Sequence, residues 1–243
     1  MENTSEKTIE IQYSFDIDNG IKKDFNISLN EKTLDLIQET PDAPPPWTEL
    51  SCSKCEHCPL DEAEHKHCPV ALSLVKIIDF FKNLISIEKC HITVTTEQRV
   101  YKKYTDIQKP IASLIGIYMV TSGCPIMAKL RPMTRFHLPF SSLDETSYRS
   151  ISTYLFAQYF LYKQGKKPDW DLEHIQKLYE NISKLNQFFC KRLREINIAD
   201  SALNAVVNLD CFAQSMTFSV EMFNEDLLDK EGNLYNSFKS YLE

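Results

Sequence analysis

The stretch from Cys52 to Pro69 constrains this chain more than any other segment, because it concentrates metal-binding side chains in a polar loop. It holds four of the eight cysteines and three of the six histidines in the 243-residue sequence. Closely spaced thiolate and imidazole groups are typical of sites for zinc, and closely spaced thiolates of iron–sulfur clusters. Such a combination is not expected in a hydrophobic core, so the stretch predicts a metal site.

Three cysteines are each followed by a proline, namely Cys58, Cys68 and the distant Cys124. Proline is favoured at the first position of a helix, so each of these cysteines is predicted to lie at or near a helix start. The free N–H groups and the helix dipole at such a position favour the thiolate, which is the form that binds metals. Cys55, spaced Cys-x2-Cys from Cys58, is the natural fourth ligand, and Cys52 is left over.

The identity of the metal stays open at this point. Zinc is the first expectation, because it accepts four cysteines in a closed tetrahedral site and combines local with distant ligands. Cys52, Cys55 and Cys58 also form a Cys-x2-Cys-x2-Cys run with proline after the third, which partly matches the bacterial ferredoxin pattern. Cys68 follows too far along the chain for that pattern, so a 4Fe–4S cluster is the alternative. A chain without metal, including one with disulfides, is the remaining interpretation.

Composition and charge restrict the class of protein. The net charge is −7, with 27 basic and 34 acidic residues, so nucleic-acid binding is not expected. The N-terminus is polar and predicts no signal peptide, and no apolar stretch is long enough to span a membrane. We therefore expect a cytoplasmic protein, whose thiols stay reduced and free to bind metal. A protein partner and the oligomeric state are left open.

Hydrophobic periodicity predicts an α+β fold, with a small N-terminal sheet of two hairpins packed on a mainly helical C-terminal two-thirds. Residues 8–29 alternate as a hairpin does around Asn19-Gly20, and residues 33–38 add a third strand. A second hairpin is predicted at 92–104. The pattern changes to a helical period elsewhere, and helices are expected over the ranges 70–87, 108–122, 142–165, 170–196, from 200 onward and 233–242.

The chain is interpreted as one domain, residues 1–243. It comprises an N-terminal hairpin region (1–40), a proline-rich connector with the cysteine loop (41–69), and a helical region (70–243). The other three cysteines have apolar neighbours along the sequence, which predicts buried packing roles for Cys90, Cys190 and Cys211.

Five motifs together resemble an uncharacterised bacterial domain family, over nearly the whole chain. They are Cys55-x2-Cys58-Pro59-Leu60, His67-Cys68-Pro69-Val70, Ser122-Gly123-Cys124-Pro125, the run Leu130-Arg131-Pro132-Met133-x-Arg135-Phe136-His137-Leu138-Pro139-Phe140, and Pro168-Asp169-Trp170-Asp171. The resemblance implies which positions belong to the family's motifs, but it implies no activity. It implies Cys55, Cys58, Cys68 and Cys124 as the cysteine set, and Cys52 departs from that pattern.

A second polar cluster comprises Arg131, Arg135 and His137, the candidate residues for binding a cofactor or other ligand. Paired arginines can clamp an anion, whereas ion pairs with the protein's own carboxylates are the alternative. No nucleophile–base pair, phosphate loop or cofactor fingerprint is present, so we assign no catalytic residue and lean against an enzyme. The expected function is a structural zinc site in an interaction or scaffold module. An iron–sulfur protein with a redox or sensing role is the alternative.

Overall fold

The structure is a computed structural model, which describes residues 7–196, 198–228 and 233–242. It confirms the α+β class, because an antiparallel sheet near the N-terminus is followed by a mainly helical region. The sheet has five strands in the order β3-β2-β1-β4-β5. The strands are β1 (Thr8–Ile17), β2 (Lys22–Asn30), β3 (Leu36–Ile37), β4 (Lys89–Thr96) and β5 (Val100–Asp106).

The two predicted hairpins join through their first strands, since β1 pairs antiparallel with β4 as well as with β2. Gly20 adopts φ +90° in the turn between β1 and β2, a conformation that residues with a Cβ rarely take. One face of the sheet is buried, and it carries alternate residues of β1 such as Tyr13 and Phe15. The expected third strand is present but is only two residues long.

Seven α-helices are described, and most begin and end close to the predicted positions. They are α1 (Pro69–Ser73), α2 (Val75–Phe81), α3 (Gln108–Thr121), α4 (Leu143–Lys163), α5 (Glu173–Arg194), α6 (Asp200–Leu228) and α7 (Asn233–Leu242). A short 3-10 turn spans Pro46–Thr48, and a longer 3-10 segment spans Met127–Thr134. Ser142 and Glu145 form a reciprocal capping box at the start of α4.

The prediction of one helix over residues 70–87 is wrong, because the segment consists of α1 and α2 with a break at Leu74. The N–H of Leu74 donates to the carbonyl of Ala71, a tighter bond than the α-helical one, and its backbone lies at φ −95°, ψ 0°. The break lets α2 turn its buried residues onto the sheet. Phe81, for example, packs against Phe15 and Phe25, with ring centroids 5.1 and 5.6 Å away.

Helix α3 lies in the interior, and α5 and α6 pack extensively on each other. Cys90 and Cys190 are buried as predicted, whereas Cys211 is exposed. The prediction for Cys211 is therefore wrong, because apolar neighbours in the sequence of a helix need not share its buried face. In the described ranges no strand follows β5, and no helix there is long and apolar enough to cross a membrane.

Candidate functional site

The cysteine loop is closed at its base by a short antiparallel contact between Glu49 and His67. The N–H of Leu50 donates to the carbonyl of Lys66 at 2.9 Å, and the N–H of Cys68 donates to the carbonyl of Thr48 at 2.8 Å. These bonds bring the two ends of the loop side by side. As a result, Cys68 returns to the neighbourhood of the cysteines that precede it by ten or more residues.

Side-chain hydrogen bonds of Thr48 and His67 stabilise the base of the loop. The buried Thr48 hydroxyl donates to the carbonyl of Pro45 at 2.7 Å, and its oxygen lies 2.9 Å from Nδ1 of His67. Since the only proton of the hydroxyl is already donated, Nδ1 of His67 must be the donor in the second bond. His67 therefore has a hydrogen-bond partner at the base of the loop, and it does not line the cysteine cavity.

Cys55, Cys58, Cys68 and Cys124 line one small cavity of about 20 Å³. The space of a single water molecule or ion is of this order. Apolar side chains of Leu50, Leu185 and Phe189 complete much of the wall. The structure thus brings together the four cysteines of the sequence-based ligand set, although Cys124 comes from a segment more than fifty residues downstream.

The predicted helix starts account for only part of this convergence. Cys68 is the N-cap residue of α1, as expected. Gly123 adopts φ +91° just after α3 and turns the chain so that Cys124 enters the cavity wall. Pro59 starts no helix, so the prediction for Cys58 is wrong: the loop after it stays irregular because it lacks apolar residues to pack a helical face.

Cys52 lies outside the cavity lining and has a different partner. Its thiol donates to Oε2 of Glu195 at 3.1 Å, and the hydroxyl of Ser53 donates to the other oxygen of that carboxylate at 2.7 Å. Burial and the adjacent Glu195 carboxylate raise the pKa of the Cys52 thiol. Cys52 is therefore held as a neutral thiol at the rim, apart from the four cysteines of the cavity.

Enclosure raises the pKa of two of the cavity thiols, those of Cys55 and Cys124. Burial, followed by the neighbouring thiols of Cys68, Cys58 and Cys124, raises the pKa of Cys55 to about 12. Burial also raises the pKa of Cys124, although backbone N–H groups of Met127 and Ile126 act in the opposite direction by bonding its sulfur. A bound cation reverses this balance, because a coordinating thiol is deprotonated.

Arg192 is a buried cation in the wall of the cysteine cavity, and no sequence motif singled it out. It is 2% exposed and lies in the wall of the cysteine cavity, where its Nη1 donates to the carbonyls of Trp47 at 2.7 Å and Glu49 at 2.6 Å. Among the described residues no carboxylate forms an ion pair with it. A buried cation without a carboxylate partner is unusual, and here it lies beside thiols that would become anionic if a metal bound.

The four cysteines line one cavity, but their side chains do not form a finished coordination site. Across residues 7–196, 198–228 and 233–242, no group of three or more histidine, cysteine, aspartate or glutamate side chains is arranged to hold a metal ion. A cysteine sulfur lies one rotatable bond from the backbone, so a change of rotamer moves it relative to the cavity. The donor set fits zinc chemically, and the assignment of the four cysteines as ligands stays a prediction.

The second predicted cluster is divided between two places. Arg131 forms an ion pair with Asp35 and donates to the carbonyl of Thr33 at 3.3 Å, and Arg135 donates to the carbonyl of Glu31. Both arginines therefore tie the 3-10 segment to the connection between β2 and β3. Neither arginine lines the cavity that contains His137. Arg131 has the intramolecular ion pair of the alternative interpretation, whereas Arg135 bonds a backbone carbonyl.

His137 lies in the wall of a second, much larger cavity of about 460 Å³. Its Nε2 is 2.6 Å from the hydroxyl of Tyr13 and 3.4 Å from that of Ser113, and the two hydroxyls are 2.8 Å apart. Enclosure, with a smaller contribution from the Arg149 guanidinium, lowers the pKa of His137 to about 3. The ring is therefore neutral at physiological pH and fixed by hydrogen bonds.

A comparison with protein families gives one match, to the model described as "Domain of unknown function (DUF6901)", over residues 11–231. The match covers the sheet, the cysteine loop and the helices through α6. No curated protein and no solved structure matches the chain. The expected membership of an uncharacterised domain family is confirmed, and this chain belongs to that family.

Proposed function

We propose that this member of the family is a cytoplasmic metal-binding protein in which Cys55, Cys58, Cys68 and Cys124 bind one structural zinc ion. The observation that carries the proposal is the convergence of these four thiols on a single cavity of about 20 Å³. Four sulfur ligands at about 2.3 Å would close the coordination sphere of zinc and leave no position for a substrate. The role would therefore be that of a stabilised interaction or scaffold module rather than of a metalloenzyme.

The size of the cavity favours a single ion over a cluster. A 4Fe–4S cluster contains eight atoms, whereas a cavity of about 20 Å³ has room for about one. An iron–sulfur protein with a redox or sensing role is the alternative, and it requires the loop to move away from α5. Leu185 and Phe189 of that helix contribute to the wall, so such a movement would expose apolar surface.

The electrostatic surroundings also support binding of an anionic zinc complex. Four thiolates and one Zn²⁺ carry a net charge of −2, which is unfavourable in an enclosed site unless positive groups are near. Burial raises the pKa of both Cys55 and Cys124, but Arg192 acts in the opposite direction on Cys55, as the N–H groups of Met127 and Ile126 do on Cys124. These groups would stabilise the charged complex in the absence of a carboxylate among the cavity lining residues.

The proposed metal would connect the cysteine loop to the end of α3. The loop has few buried apolar residues between Cys52 and His67, whereas Cys124 follows the buried helix α3. Zinc would join them by closing a long loop, and its binding free energy would then contribute to folding.

Metal analysis of protein purified without oxygen tests the proposal. We expect one zinc per chain in the wild type and in the control variant Cys52→Ser, and a clear loss of zinc in Cys68→Ser. A brown protein with iron and sulfide in stoichiometric amounts would establish the cluster alternative. Protein without any bound metal, under conditions in which free zinc is supplied and thiols are reduced, would contradict both.

A further inference from the structure

The large cavity that contains His137 is assembled from parts of the chain that are far apart in sequence. It is bounded by α3, the 3-10 segment Met127–Thr134, the start of α4, α5 and α6. Its volume of about 460 Å³ is in the range of small-molecule sites. Much of the wall is apolar, with Ile117, Met133, Leu209 and Phe212 among its residues.

The charged residues of this wall are all basic. Lys103, Lys109 and Arg149 line the cavity, and no aspartate or glutamate does. In a chain with 34 acidic and 27 basic residues, a lining of one sign is a specific feature of the site. Asp106 and Glu145 act on Lys109 and Arg149 from outside the lining, but no carboxylate of the described residues forms an ion pair with any of the three.

Two of the three basic groups, Arg149 and Lys103, have uncharged partners within the protein. Arg149 donates to the carbonyls of Met133 at 3.0 Å and Phe136 at 2.9 Å, and the Lys103 ammonium lies 5.9 Å from the centre of the Phe140 ring. Carbonyl and ring contacts leave much of the positive charge uncompensated, and partial burial of Arg149 makes this more unfavourable. An anion in the cavity would remove the imbalance.

Asn186 of α5 provides a second, independent polar feature in the wall. The residue is 1% exposed, and its Oδ1 has no hydrogen-bond partner among the described residues. Buried acceptors in folded proteins are nearly always paired with a donor, so an orphaned amide at a cavity points to a group that the chain itself does not supply. A donor on a bound molecule would satisfy it.

We propose that this cavity binds a small amphipathic organic anion, with an apolar body against the wall and a negative group held by Lys103, Lys109 and Arg149. An N–H or O–H donor on the body would satisfy Asn186. The proposal does not depend on zinc, because none of the four cysteines lines this cavity. It differs from the sequence-based ligand site in its basic residues, since Arg131 and Arg135 are absent from the lining.

Two fluorescent dyes that differ by a single charge provide the test. Anilinonaphthalene sulfonate is an apolar anion with an N–H donor, and phenylnaphthylamine has the same rings and N–H without the sulfonate. We expect saturable binding of the sulfonate dye at one site per chain, about five- to tenfold tighter than that of the neutral dye. The protein must be metal-replete and melt cooperatively, because partly folded states also bind the anionic dye.

Variants separate the charge from the shape of the site. The double variant Lys103→Gln/Lys109→Gln is expected to bind the sulfonate dye about five- to tenfold more weakly and to bind the neutral dye with unchanged affinity. The charge-matched control Lys76→Gln/Lys167→Gln replaces two exposed lysines outside the lining and should change neither affinity. Equal effects of the two double variants, or equal binding of the two dyes, would overturn the proposal.

Filling the cavity tests its location. A Cβ added at Gly116, which lines the cavity, would meet only Leu209, at an ordinary distance of 3.7 Å. Gly116→Leu should therefore fold with an unchanged circular dichroism spectrum and bind neither dye, and wild-type binding by this variant would place the dye elsewhere and overturn the proposal. Asn186→Leu removes the acceptor that has no partner. Because both dyes carry an N–H, this variant is expected to lower the affinity for both dyes by the same factor.

Discussion

The two cavities of this protein differ in how their residues are distributed along the sequence and in what their walls contain. The cysteine cavity of about 20 Å³ takes three of its four thiols from one loop, whereas the cavity of about 460 Å³ is lined from β5 to α6. A thiol cluster needs a few residues of a rare type at definite spacing, so it leaves a visible pattern. An apolar cavity is built from residues that each look like ordinary core, and only the fold brings them together.

The largest expected effect concerns the cysteine cavity. Cys68→Ser and Cys124→Ser should each lower the free energy of unfolding by about 3–4 kcal/mol, as expected when a cross-link that closes a loop of this length is lost. The melting temperature would fall by about 10 °C, and soluble yield would fall with it. Thermal melts of the variants beside wild type, with zinc measured on each sample, check this prediction.

Cys52→Ser is the matched control for these two variants, because its thiol bonds Glu195 outside the cavity. It should melt within a few degrees of wild type and retain zinc. Strong chelation of the wild type should reproduce the cavity variants and not the control. An unchanged melting temperature after complete loss of metal would reject the structural role and favour the redox or sensing alternative.

Arg192 tests whether the wall of the same cavity contributes charge as well as packing. Arg192→Leu removes a donor from the carbonyls of Trp47 and Glu49, of which that of Glu49 still accepts from the N–H of Cys52, so we expect about 2 kcal/mol less stability in urea denaturation. The variant should also bind zinc less tightly, as measured by competition with a chelator, because a positive group near the thiolates is lost. Arg194→Leu replaces an exposed arginine of the same helix and is the control. If the two variants bind zinc equally, the electrostatic role of Arg192 is rejected.

Tyr13 allows the corresponding experiment at the large cavity. Tyr13→Phe removes a buried hydroxyl and leaves Ser113 and His137 without their shared partner, which should lower stability by about 1–2 kcal/mol. Tyr104→Phe, on the same sheet, removes a hydroxyl bonded to Asp18 on the surface and should have little effect. Zinc content should not change in either variant. A loss of zinc in Tyr13→Phe would show that the two cavities are coupled and contradict their separation.

The fold was more accessible from the sequence than either site. The alternation of residues 8–29 and the capping box at Ser142 determine local structure through nearest neighbours, and the structure contains both as predicted. The break at Leu74 and the exposure of Cys211 depend on which face the rest of the molecule covers, and periodicity alone does not decide this. Local sequence patterns therefore predicted the helices and strands well and predicted their packing less well.

The same distinction applies to the candidate sites. Cys55, Cys58, Cys68 and Cys124 could be grouped in advance because their spacing and prolines are visible in the sequence. Arg192 could not, since a lysine or arginine in the last turn of a helix usually caps the helix at the surface. Asn186 gave no signal either, because an isolated asparagine in an amphipathic helix has no distinguishing neighbours. Its burial beside a cavity is a property of the assembled fold.

Among the smallest expected effects is the pH dependence that His137 adds at the large cavity. Its pKa is about 3 in the folded protein and about 6.5 in the unfolded chain, so the unfolded state binds a proton first as the pH falls. Stability should therefore decrease between about pH 6.5 and pH 3, and by about 1–2 kcal/mol from pH 7 to pH 5. The groups that face the ring are Tyr13, Ser113 and Arg149, and none of them gains or loses a proton in that interval.

Urea denaturation of wild type and His137→Gln at pH 7, 6 and 5 isolates this contribution, because acid effects on the cysteine cavity are common to both proteins and cancel in the difference. We expect wild type to lose more stability than the variant, and parallel losses would contradict a neutral, enclosed His137.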